Sequence, residues 1–251
     1  MTNPISFKTL SKAFPCGLIK KYRVLNRISL DIQEGEVFGF LGPNGAGKST
    51  AINIAMGFAI PDEGNVFIND IPAFLPRARE FVGYLPEHPT LYEQLSAAEL
   101  LEFVGAASGI AKRAVKDRTD RLLDRLNLLS FKNRPVRTYS KGMKQRLGFA
   151  MAMIADPPVL ILDEPMSGLD PMGRNLIANI ILDLKSRGKT IFFSTHILND
   201  VEKLCDHIAV IHQGEILFNG TISQFTATPD NENLEAAFVS LINTSRVKEQ
   251  P

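Results

Sequence analysis

Residues 42–50, GPNGAGKST, carry the most specific chemistry in the sequence, in a glycine-rich segment that ends in Lys-Ser-Thr. Glycines let successive backbone N–H groups converge on a phosphate, the lysine can reach the outer phosphate oxygens, and the serine hydroxyl can ligate Mg²⁺. An apolar run precedes the segment and a helix-like run follows it, as a phosphate-binding loop requires. The predicted contacts to a nucleoside triphosphate and its metal come from Gly42, Pro43, Asn44, Gly45, Ala46, Gly47, Lys48, Ser49 and Thr50.

An acidic pair, Asp163 and Glu164, follows the apolar run at 159–162. A buried strand there would deliver Asp163 to the carboxyl edge of a sheet, where ligands bind in open α/β folds and where a carboxylate can hold Mg²⁺. Glu164 points elsewhere and is the candidate base that deprotonates an attacking water. Solvation of the pair, or capping of the next helix, is the alternative, which the loop at 42–50 disfavours.

His196 follows another apolar run, TIFFST at 190–195, and could donate a hydrogen bond to a γ-phosphate oxygen. A lone histidine at a strand end is more often structural, but this one closes an ordered series that includes SGLD at 167–170. The other histidines have no such context and are predicted to be ordinary surface or packing residues: His88, His207 and His212.

The segment YSKGMKQR, at 139–146, places small residues and three cations just ahead of an apolar, helix-like run. That combination predicts an anion site, because the unpaired N–H groups and the dipole of a helix N-terminus attract negative charge. One chain would then hold two phosphate sites, so the second one needs a reason.

Short β-rich runs dominate both ends of the chain, and several are continuously apolar, which is typical of strands buried on both faces of a parallel sheet. The last two runs, separated by Gln213-Gly214, predict an edge hairpin. The pattern predicts an α/β fold with a mixed, largely parallel sheet. The runs lie at 5–10, 28–32, 36–42, 65–70, 81–86, 159–164, 190–195, 208–212 and 215–219.

The middle of the chain has a helical pattern instead. Ser96 and Glu99 have the spacing of a capping box, and residues 112–129 have one apolar face. The members of that face are Leu122, Leu123, Leu126 and Leu129. The predicted bounds are 1–86 and 158–225 for a core, 87–157 for an inserted helical subdomain, 1–225 for the single domain that they form, and 226–251 for a tail with a short amphipathic helix.

Composition excludes several classes of protein. The 251 residues are 45% hydrophobic, which suffices for a large core, and the net charge of +1 argues against a protein that grips nucleic acid. Cys16 and Cys205 make neither a disulfide framework nor a metal cluster and are predicted to be packing residues in a reducing compartment. No stretch approaches the roughly 20 apolar residues that span a bilayer, so we expect any membrane role to be exerted from outside the lipid.

Taken together, GPNGAGKST, YSKGMKQR, VLILDEP, SGLD and STH resemble, in order and approximate spacing, the motifs of the ATP-binding cassette (ABC) ATPases. The resemblance covers about residues 4–222. It implies a P-loop NTPase (RecA-like) core with an antiparallel β subdomain and an inserted α-helical subdomain. It also implies ATP and Mg²⁺ as ligands, catalysis by Glu164, His196 and Lys48, and a nucleotide contact from Asp170.

YSKGMKQR is similar to the signature of that family, usually written LSGGQ. Ser140 and Gly142 match its serine and second glycine, whereas Lys141 and Met143 depart from it. The resemblance implies a head-to-tail dimer, of two copies or with a paralogous ATPase subunit, in which ATP lies between one subunit's loop and the other's signature turn. Lys141 and Lys144 would add attraction for the triphosphate or be merely solvated.

Two positions depart from the family or leave a choice. Glu87 stands where the family has a glutamine, and an ionised carboxylate can only accept hydrogen bonds, so we expect Glu87 to lie near the metal or to sense the nucleotide.

Phe14 stands at the position of the family's adenine-stacking aromatic, and its ring supplies the face that stacking requires. Tyr22 is its rival, and core packing is the alternative role for Phe14.

The segment around 87–103 is similar to that of ATPases serving two-component exporters of drugs or polysaccharides, where it faces a separate membrane subunit. The implied function is an ATP-hydrolysing subunit, peripheral on the cytoplasmic face of the membrane, that drives a separate polytopic permease in export. The alternative role for the segment is packing of the helical subdomain by Leu91, Tyr92, Leu95 and Leu100.

Two other functions compete with a transporter subunit. A soluble ABC-class switch in translation or DNA repair would typically carry two cassettes or a long coiled-coil insertion, and this chain has neither. An unrelated P-loop kinase or GTPase would leave YSKGMKQR and His196 without a role.

Residues 112–146 carry twelve Lys or Arg against three Asp. A solvated face is the simple interpretation of such a run. The sharper hypothesis is contact with anionic lipid headgroups or with an acidic partner surface.

Overall fold

The computed structural model describes residues 3–17, 20–227 and 233–247. The chain forms two compact units, of which the first combines Met1–Arg79 with Phe192–Pro251 and the second is Glu80–Ile191. Across the described ranges, no helix is both long enough and apolar enough to cross a bilayer. The bounds of the core, the helical subdomain and the tail given above stay a prediction.

The described part of the chain forms strands, helices and short 3₁₀ turns. The strands are β1 Ile5–Cys16, β2 Lys20–Ile32, β3 Val37–Leu41, β4 Glu63–Ile68, β5 Ile71–Pro72, β6 Val82–Leu85, β7 Val159–Asp163, β8 Thr190–Thr195, β9 His207–His212 and β10 Glu215–Thr221. The helices are α1 Lys48–Ala55, α2 Ala97–Ala107, α3 Lys112–Arg125, α4 Lys141–Met153, α5 Pro171–Ser186, α6 Leu198–Leu204, α7 Ile222–Phe225 and α8 Leu234–Val247. Short 3₁₀ turns lie at Pro76–Phe81, Leu129–Phe131 and Val136–Thr138.

The first unit holds an antiparallel sheet of order β2-β1-β4-β5, in which β1 pairs with both β2 and β4. Elsewhere in this unit, β3 runs parallel to β9, and β9 and β10 form the predicted hairpin. Every residue of β3 is buried. The Phe192 ring lies 5.8, 5.9 and 5.5 Å from those of Phe7, Phe38 and Phe40, so a dense aromatic core fixes the strand that leads into the phosphate loop.

The C-terminal helix α8 packs within the first unit. Leu234, Ala237 and Ile242 are buried in a hydrophobic cluster that also contains Leu41 and Val210. The predicted tail includes residues outside the described ranges, and this packing concerns α8 alone.

In the second unit, β6 and β7 pair in parallel, from Val82↔Val159 to Leu85↔Leu162. The predicted capping box is confirmed: the Ser96 hydroxyl accepts from the Glu99 N–H at 3.3 Å, and the Glu99 carboxylate accepts from the Ser96 N–H at 2.8 Å. The hydrogen bond from the Ser96 backbone lowers the pKa of the Glu99 carboxyl, because it stabilises the charged form.

Three local predictions are wrong. Helix α3 ends at Arg125, since Asn127 has a positive φ of 54° that the helix cannot continue through, and Leu129 is therefore exposed in a 3₁₀ turn. Cys16 is exposed and not a packing residue, whereas Cys205 is partly buried. Strands β1 and β2 extend far beyond the apolar runs that predicted them, because most residues outside those runs are exposed or half-buried and continue no apolar pattern.

Candidate functional site

The predicted phosphate loop connects β3 to α1, which begins at Lys48 with Gly47 as its N-cap. Gly47 has a φ of 112°, and a Cβ there would lie 2.8 Å from the Val24 carbonyl oxygen, so the loop requires glycine at this point. Among the described residues, no side chain caps α1. The positive end of the helix dipole is therefore directed at whatever the loop encloses.

Lys48 lies folded over this loop. Its ammonium donates to the carbonyl oxygens of Gly42 at 2.7 Å and Pro43 at 3.3 Å, and the residue is only 6% exposed. These contacts fix a cation above the glycine-rich backbone, in surroundings where low dielectric strengthens its attraction for an anion. The loop thus has the geometry that the sequence predicts for holding a triphosphate.

His196 is brought to the same loop through the backbone. The N–H of Gly42 donates to the carbonyl of Thr195 at 3.3 Å, and Thr195 is the last residue of β8, directly before the exposed His196. The other side of the loop is held by Gly214, whose N–H donates to the carbonyl of Ala46 at 3.0 Å. Both anchors come from strand ends within the first unit.

The two candidate adenine-stacking rings are cross-strand neighbours. Phe14 on β1 pairs directly with Tyr22 on β2, so both side chains lie on one face of the sheet. Phe14 is 42% exposed and Tyr22 59% exposed, and the Lys12 ammonium lies 5.4 Å from the centre of the Phe14 ring. Core packing of Phe14 is therefore wrong, while its choice over Tyr22 as the stacking residue stays a prediction.

In the second unit, β7 ends at Asp163, and both Asp163 and Glu164 are buried. Glu164 has a φ of 48°, a left-handed conformation that costs a non-glycine residue about 1 kcal/mol or more. The Ser167 N–H donates to the Glu164 carbonyl oxygen at 3.0 Å and closes the turn. Glu164, the predicted base, thus has an unusual backbone conformation that this turn constrains.

Gln145 is a residue that sequence reasoning missed. It lies on α4, is 4% exposed, and its side-chain amide faces the carbonyl oxygens of Glu164 at 3.5 Å and Pro165 at 3.3 Å. The available signal was a polar residue on a helix whose neighbouring buried positions are almost all apolar or glycine. Gln145 connects the helix of the predicted signature turn to the turn that carries the predicted base.

Glu87 follows β6 by two residues. Its side chain is 44% exposed, with a carboxylate oxygen 3.9 Å from the Nε2 atom of His88. On the same strand, burial raises the pKa of Tyr84 to about 12, and the negative charge of Asp163 adds to the effect. Asp163 therefore acts electrostatically on β6, and the role of Glu87 at the nucleotide stays a prediction.

The predicted signature turn starts α4 and lies against the SGLD segment. Ser140 is the N-cap, and its hydroxyl accepts from the Met143 N–H at 3.2 Å. The aliphatic stem of Lys141 contacts Gly168, and a Cβ on Gly142 would lie 3.5 Å from Leu169. Lys144 forms an ion pair with Glu93, so it is neither merely solvated nor an unengaged cation.

Asp170 caps the next helix. Its carboxylate accepts from the Gly173 N–H at 2.7 Å, and Pro171 occupies the first turn of α5. This is the capping geometry that an acidic residue ahead of a helix favours. A nucleotide contact from Asp170 stays a prediction.

The oxygen donors predicted for Mg²⁺ are Ser49, Asp163 and Glu87. Within the described ranges, no group of three or more His, Cys, Asp or Glu side chains is gathered as a metal site. A hydroxyl and one or two carboxylates suit Mg²⁺, which takes further ligands from phosphate and water. The role of these residues at a metal stays a prediction.

The model of the ABC transporter family matches residues 25–167, more than half of the chain. The chain belongs to this family. An ABC transporter ATP-binding protein of Synechocystis sp. is 42% identical over 226 residues, which are 88% of this chain and 64% of that protein. The Nod factor export ATP-binding protein I of Cupriavidus metallidurans is 39% identical over 199 residues, 78% of this chain and 66% of that protein. This ABC protein therefore spans slightly less than two thirds of either relative's length.

Two solved structures share the fold. The ATP binding subunit of an ABC transporter superposes with a TM-score of 0.84 at 31% identity, covering 95% of this chain and 99% of that one. A dimeric ATP-binding cassette in a post-hydrolysis state, bound to ADP and Pi, gives 0.80 at 26% identity and covers 86% and 98%. The prediction of an α/β P-loop NTPase fold is confirmed, and ATP is the nucleotide of this family of ATPases.

Proposed function

We propose that this ABC protein binds and hydrolyses ATP as a head-to-tail dimer and thereby drives a separate polytopic permease in export, from the cytoplasmic face of the membrane. The observation that carries the proposal is the buried ammonium of Lys48, held by two carbonyl oxygens over a glycine loop at a helix start. The dimeric cassette with ADP and Pi and the relative named for Nod factor export support the assembly and the direction.

Each of the predicted site residues has its own role in the hydrolysis. Lys48 and the loop N–H groups hold the β- and γ-phosphates. The Glu164 carboxylate accepts a proton from water, the water oxygen bonds to the γ-phosphorus, and the bond to ADP breaks, which leaves ADP and phosphate. His196 donates a hydrogen bond to a γ-phosphate oxygen. Ser49, Asp163 and Glu87 are the residues that would hold Mg²⁺, which would neutralise charge on the phosphate oxygens when bound.

The second copy completes the site. Ser140 already accepts a hydrogen bond from the Met143 N–H, and a hydroxyl that accepts still has its own O–H to donate. That O–H and the Gly142 backbone would meet the γ-phosphate of ATP held by the partner subunit. A homodimer or a pair with a paralogous ATPase supplies this contact equally well.

Exposed apolar side chains support docking on a permease. In the first unit, Phe58, Ile60 and Phe74 are 60%, 78% and 62% exposed, and Gly57 lies against the backbone of Ala73 and Phe74, which brings the two segments together. Such clusters mark interaction surfaces in soluble domains.

The predicted permease-facing segment, 87–103, has a mixed character in the second unit. Tyr92 and Phe103 are 66% and 60% exposed, whereas Leu100 is buried in the unit. Packing therefore accounts for Leu100 and not for Tyr92, and the exposed rings are the ones that we assign to the permease.

The substitution Glu164→Gln tests the proposed chemistry. A glutamine cannot accept the proton, so phosphate release should fall by about 100-fold or more while ATP binding persists, and the variant should accumulate as an ATP-bound dimer on size-exclusion chromatography. Phosphate release at the wild-type rate would remove Glu164 as the base.

Purification of the tagged chain from detergent-solubilised membranes tests the partner. We expect a polytopic membrane protein to copurify, and Tyr92→Ser with Phe103→Ser should reduce its yield without changing basal ATP hydrolysis. Copurification of ribosomal or DNA-repair components instead would favour the soluble switch.

A further inference from the structure

A cavity in the second unit has no part in the proposed reaction. It encloses about 420 Å³ among α3, α4 and α5. Four arginines line it: Arg118, Arg121 and Arg125 from α3, and Arg187 just after α5. A volume of this size lies within the range of small-molecule sites, roughly 300 to 1,000 Å³.

Two of these arginines share one carboxylate. Arg125 and Arg187 both pair with Asp183, at 2.6 and 3.1 Å. Burial raises the pKa of the Asp183 carboxyl, but the hydrogen bond and charge of Arg125, with Arg187, outweigh it and hold the pKa below its ordinary value. The other acidic residue at the cavity, Asp156, pairs with Lys189 at 2.8 Å.

Arg118 and Arg121 donate to backbone carbonyls. Arg118 donates to the Ile154 carbonyl at 3.1 Å and Arg121 to the carbonyl of Asp117 at 3.2 Å. Within the part of the chain that the structure describes, neither guanidinium pairs with a carboxylate. The cations at the cavity thus outnumber the carboxylates by three, with Lys189 counted among the former and Asp183 among the latter.

Two arginines of the basic run at 112–146, Arg118 and Arg121, bring charge without a carboxylate partner to this cavity. Elsewhere in the run, Lys132 pairs with Asp120 and Lys144 pairs with Glu93. The run is therefore not a uniform solvated face, because some of its cations are paired and two line one cavity.

The arginines of α3 are spaced so that their charges lie close together. Arg118, Arg121 and Arg125 lie on one ridge of α3, where like charges repel each other. Guanidinium forks match the oxygens of a phosphate, and an anion among them would remove the repulsion. Between the arginines the cavity wall is apolar, with Leu122, Met153 and Leu184.

We propose that this cavity binds a phosphate monoester, with its phosphate on Arg118 and Arg121 and its carbon-bearing part on the apolar wall. The ligand is distinct from the ATP of the phosphate loop. The same chemistry is offered by a soluble organic phosphate and by the headgroup of a phosphatidic acid lipid, and the two arms of the test separate these sources.

The test compares Arg118→Gln/Arg121→Gln with the matched control Arg113→Gln/Lys116→Gln, which removes two exposed charges of the same helix away from the cavity. Each full-length protein is first saturated with a non-hydrolysable ATP analogue, so that the phosphate loop is occupied. Glycerol 3-phosphate binding is then measured by calorimetry, and binding to phosphatidylcholine vesicles containing phosphatidic acid by co-sedimentation. For at least one probe we expect about a tenfold loss of affinity in the cavity variant and less than about a twofold change in the control.

Each result of this test either identifies the source of the ligand or overturns the proposal. A loss for glycerol 3-phosphate identifies a soluble ligand, and a loss for the vesicles alone identifies a lipid headgroup. Equal losses in both variants, unchanged affinity in the cavity variant, or no binding of either probe to the unmodified protein would each overturn the proposal. If circular dichroism shows that the glutamine variant is unfolded, Arg118→Lys/Arg121→Lys decides, since it keeps the charge and loses the fork; affinity equal to that of the unmodified protein then counts against the site.

Discussion

The phosphate loop and the signature turn both stand at the start of a helix and both carry lysine, yet they use it in opposite ways. Lys48 is buried over its own loop, and no side chain in the described ranges caps α1. Lys144 is engaged by Glu93, and Ser140 caps α4 with its hydroxyl. The first site is preorganised for phosphate by itself. The second has its hydroxyl and one lysine engaged within its own unit, as we expect of a turn that contributes only one half of a site.

The largest effect expected from this contrast is that of Lys48→Ala. Loss of a buried cation from the loop should weaken ATP binding by about 100-fold or more and abolish hydrolysis, because charge-assisted contacts to the phosphates disappear. Fluorescent-nucleotide titration measures the affinity. Lys144→Ala is the control, and its ATP affinity should match that of the unmodified protein. Equal losses in the two variants would erase the distinction between the two helix starts.

Next in size is Gly142→Asp, which places a negative charge at the signature turn. We expect normal ATP affinity in the monomer, no ATP-dependent dimer, and phosphate release lowered by about 100-fold, because like charges repel across the interface. Light scattering with and without ATP follows the assembly. Ser130→Asp, at an exposed position of the same unit, is the control. A Gly142→Asp protein that hydrolyses ATP as a monomer would make the turn dispensable.

A smaller effect is expected for Gln145→Met, which keeps the length of the side chain and removes the amide donor. The Glu164 turn then loses a contact to two carbonyl oxygens, so kcat should fall by about tenfold while KM for ATP stays unchanged. Thr119→Val is the control, because its hydroxyl is buried with no partner among the described residues. A parallel fall of kcat in the control would point to repacking of the unit, and not to positioning of Glu164.

The smallest effect is that of Ser140→Ala. Loss of the N-cap should cost about 1 kcal/mol of stability, and a neutral hydrogen bond to phosphate contributes a similar amount to the closed dimer. A drop in Tm of about 2 to 4 °C is expected for a chain of this size. Calorimetric melting against Ser130→Ala measures it. A Tm equal to that of the control would mean that the cap contributes nothing to the stability of α4.

Signals confined to a few neighbouring residues predicted the fold well. Ser96 and Glu99 are three residues apart, and their capping box forms as expected. Gln213 and Gly214 both have positive φ, 47° and 81°, which is the turn geometry that closes a tight hairpin. The apolar runs predicted β3, β7 and β8 because each is buried along its whole length.

The parts that sequence could not predict depend on residues far apart. Glu93 and Lys144 meet across 51 positions, and Gln145 reaches Glu164 across 19, so no local pattern reports either contact. The left-handed backbone of Glu164 is invisible in a residue type that rarely adopts it. The wrong end of α3 has another cause: asparagine does adopt the left-handed region, so Asn127 was a local signal for the helix end that the apolar pattern overrode.

The position of α8 has a consequence for the opposite end of the chain. Leu41, the last residue of the strand before the glycine loop, shares its hydrophobic cluster with Leu234 and Ile242. A chain cut before Leu234 would uncover part of this cluster, so we expect the C-terminus to contribute to the stability of the strand that precedes the loop. The end of the chain is therefore part of the hydrophobic core, and a C-terminal truncation is expected to lower the stability of the first unit.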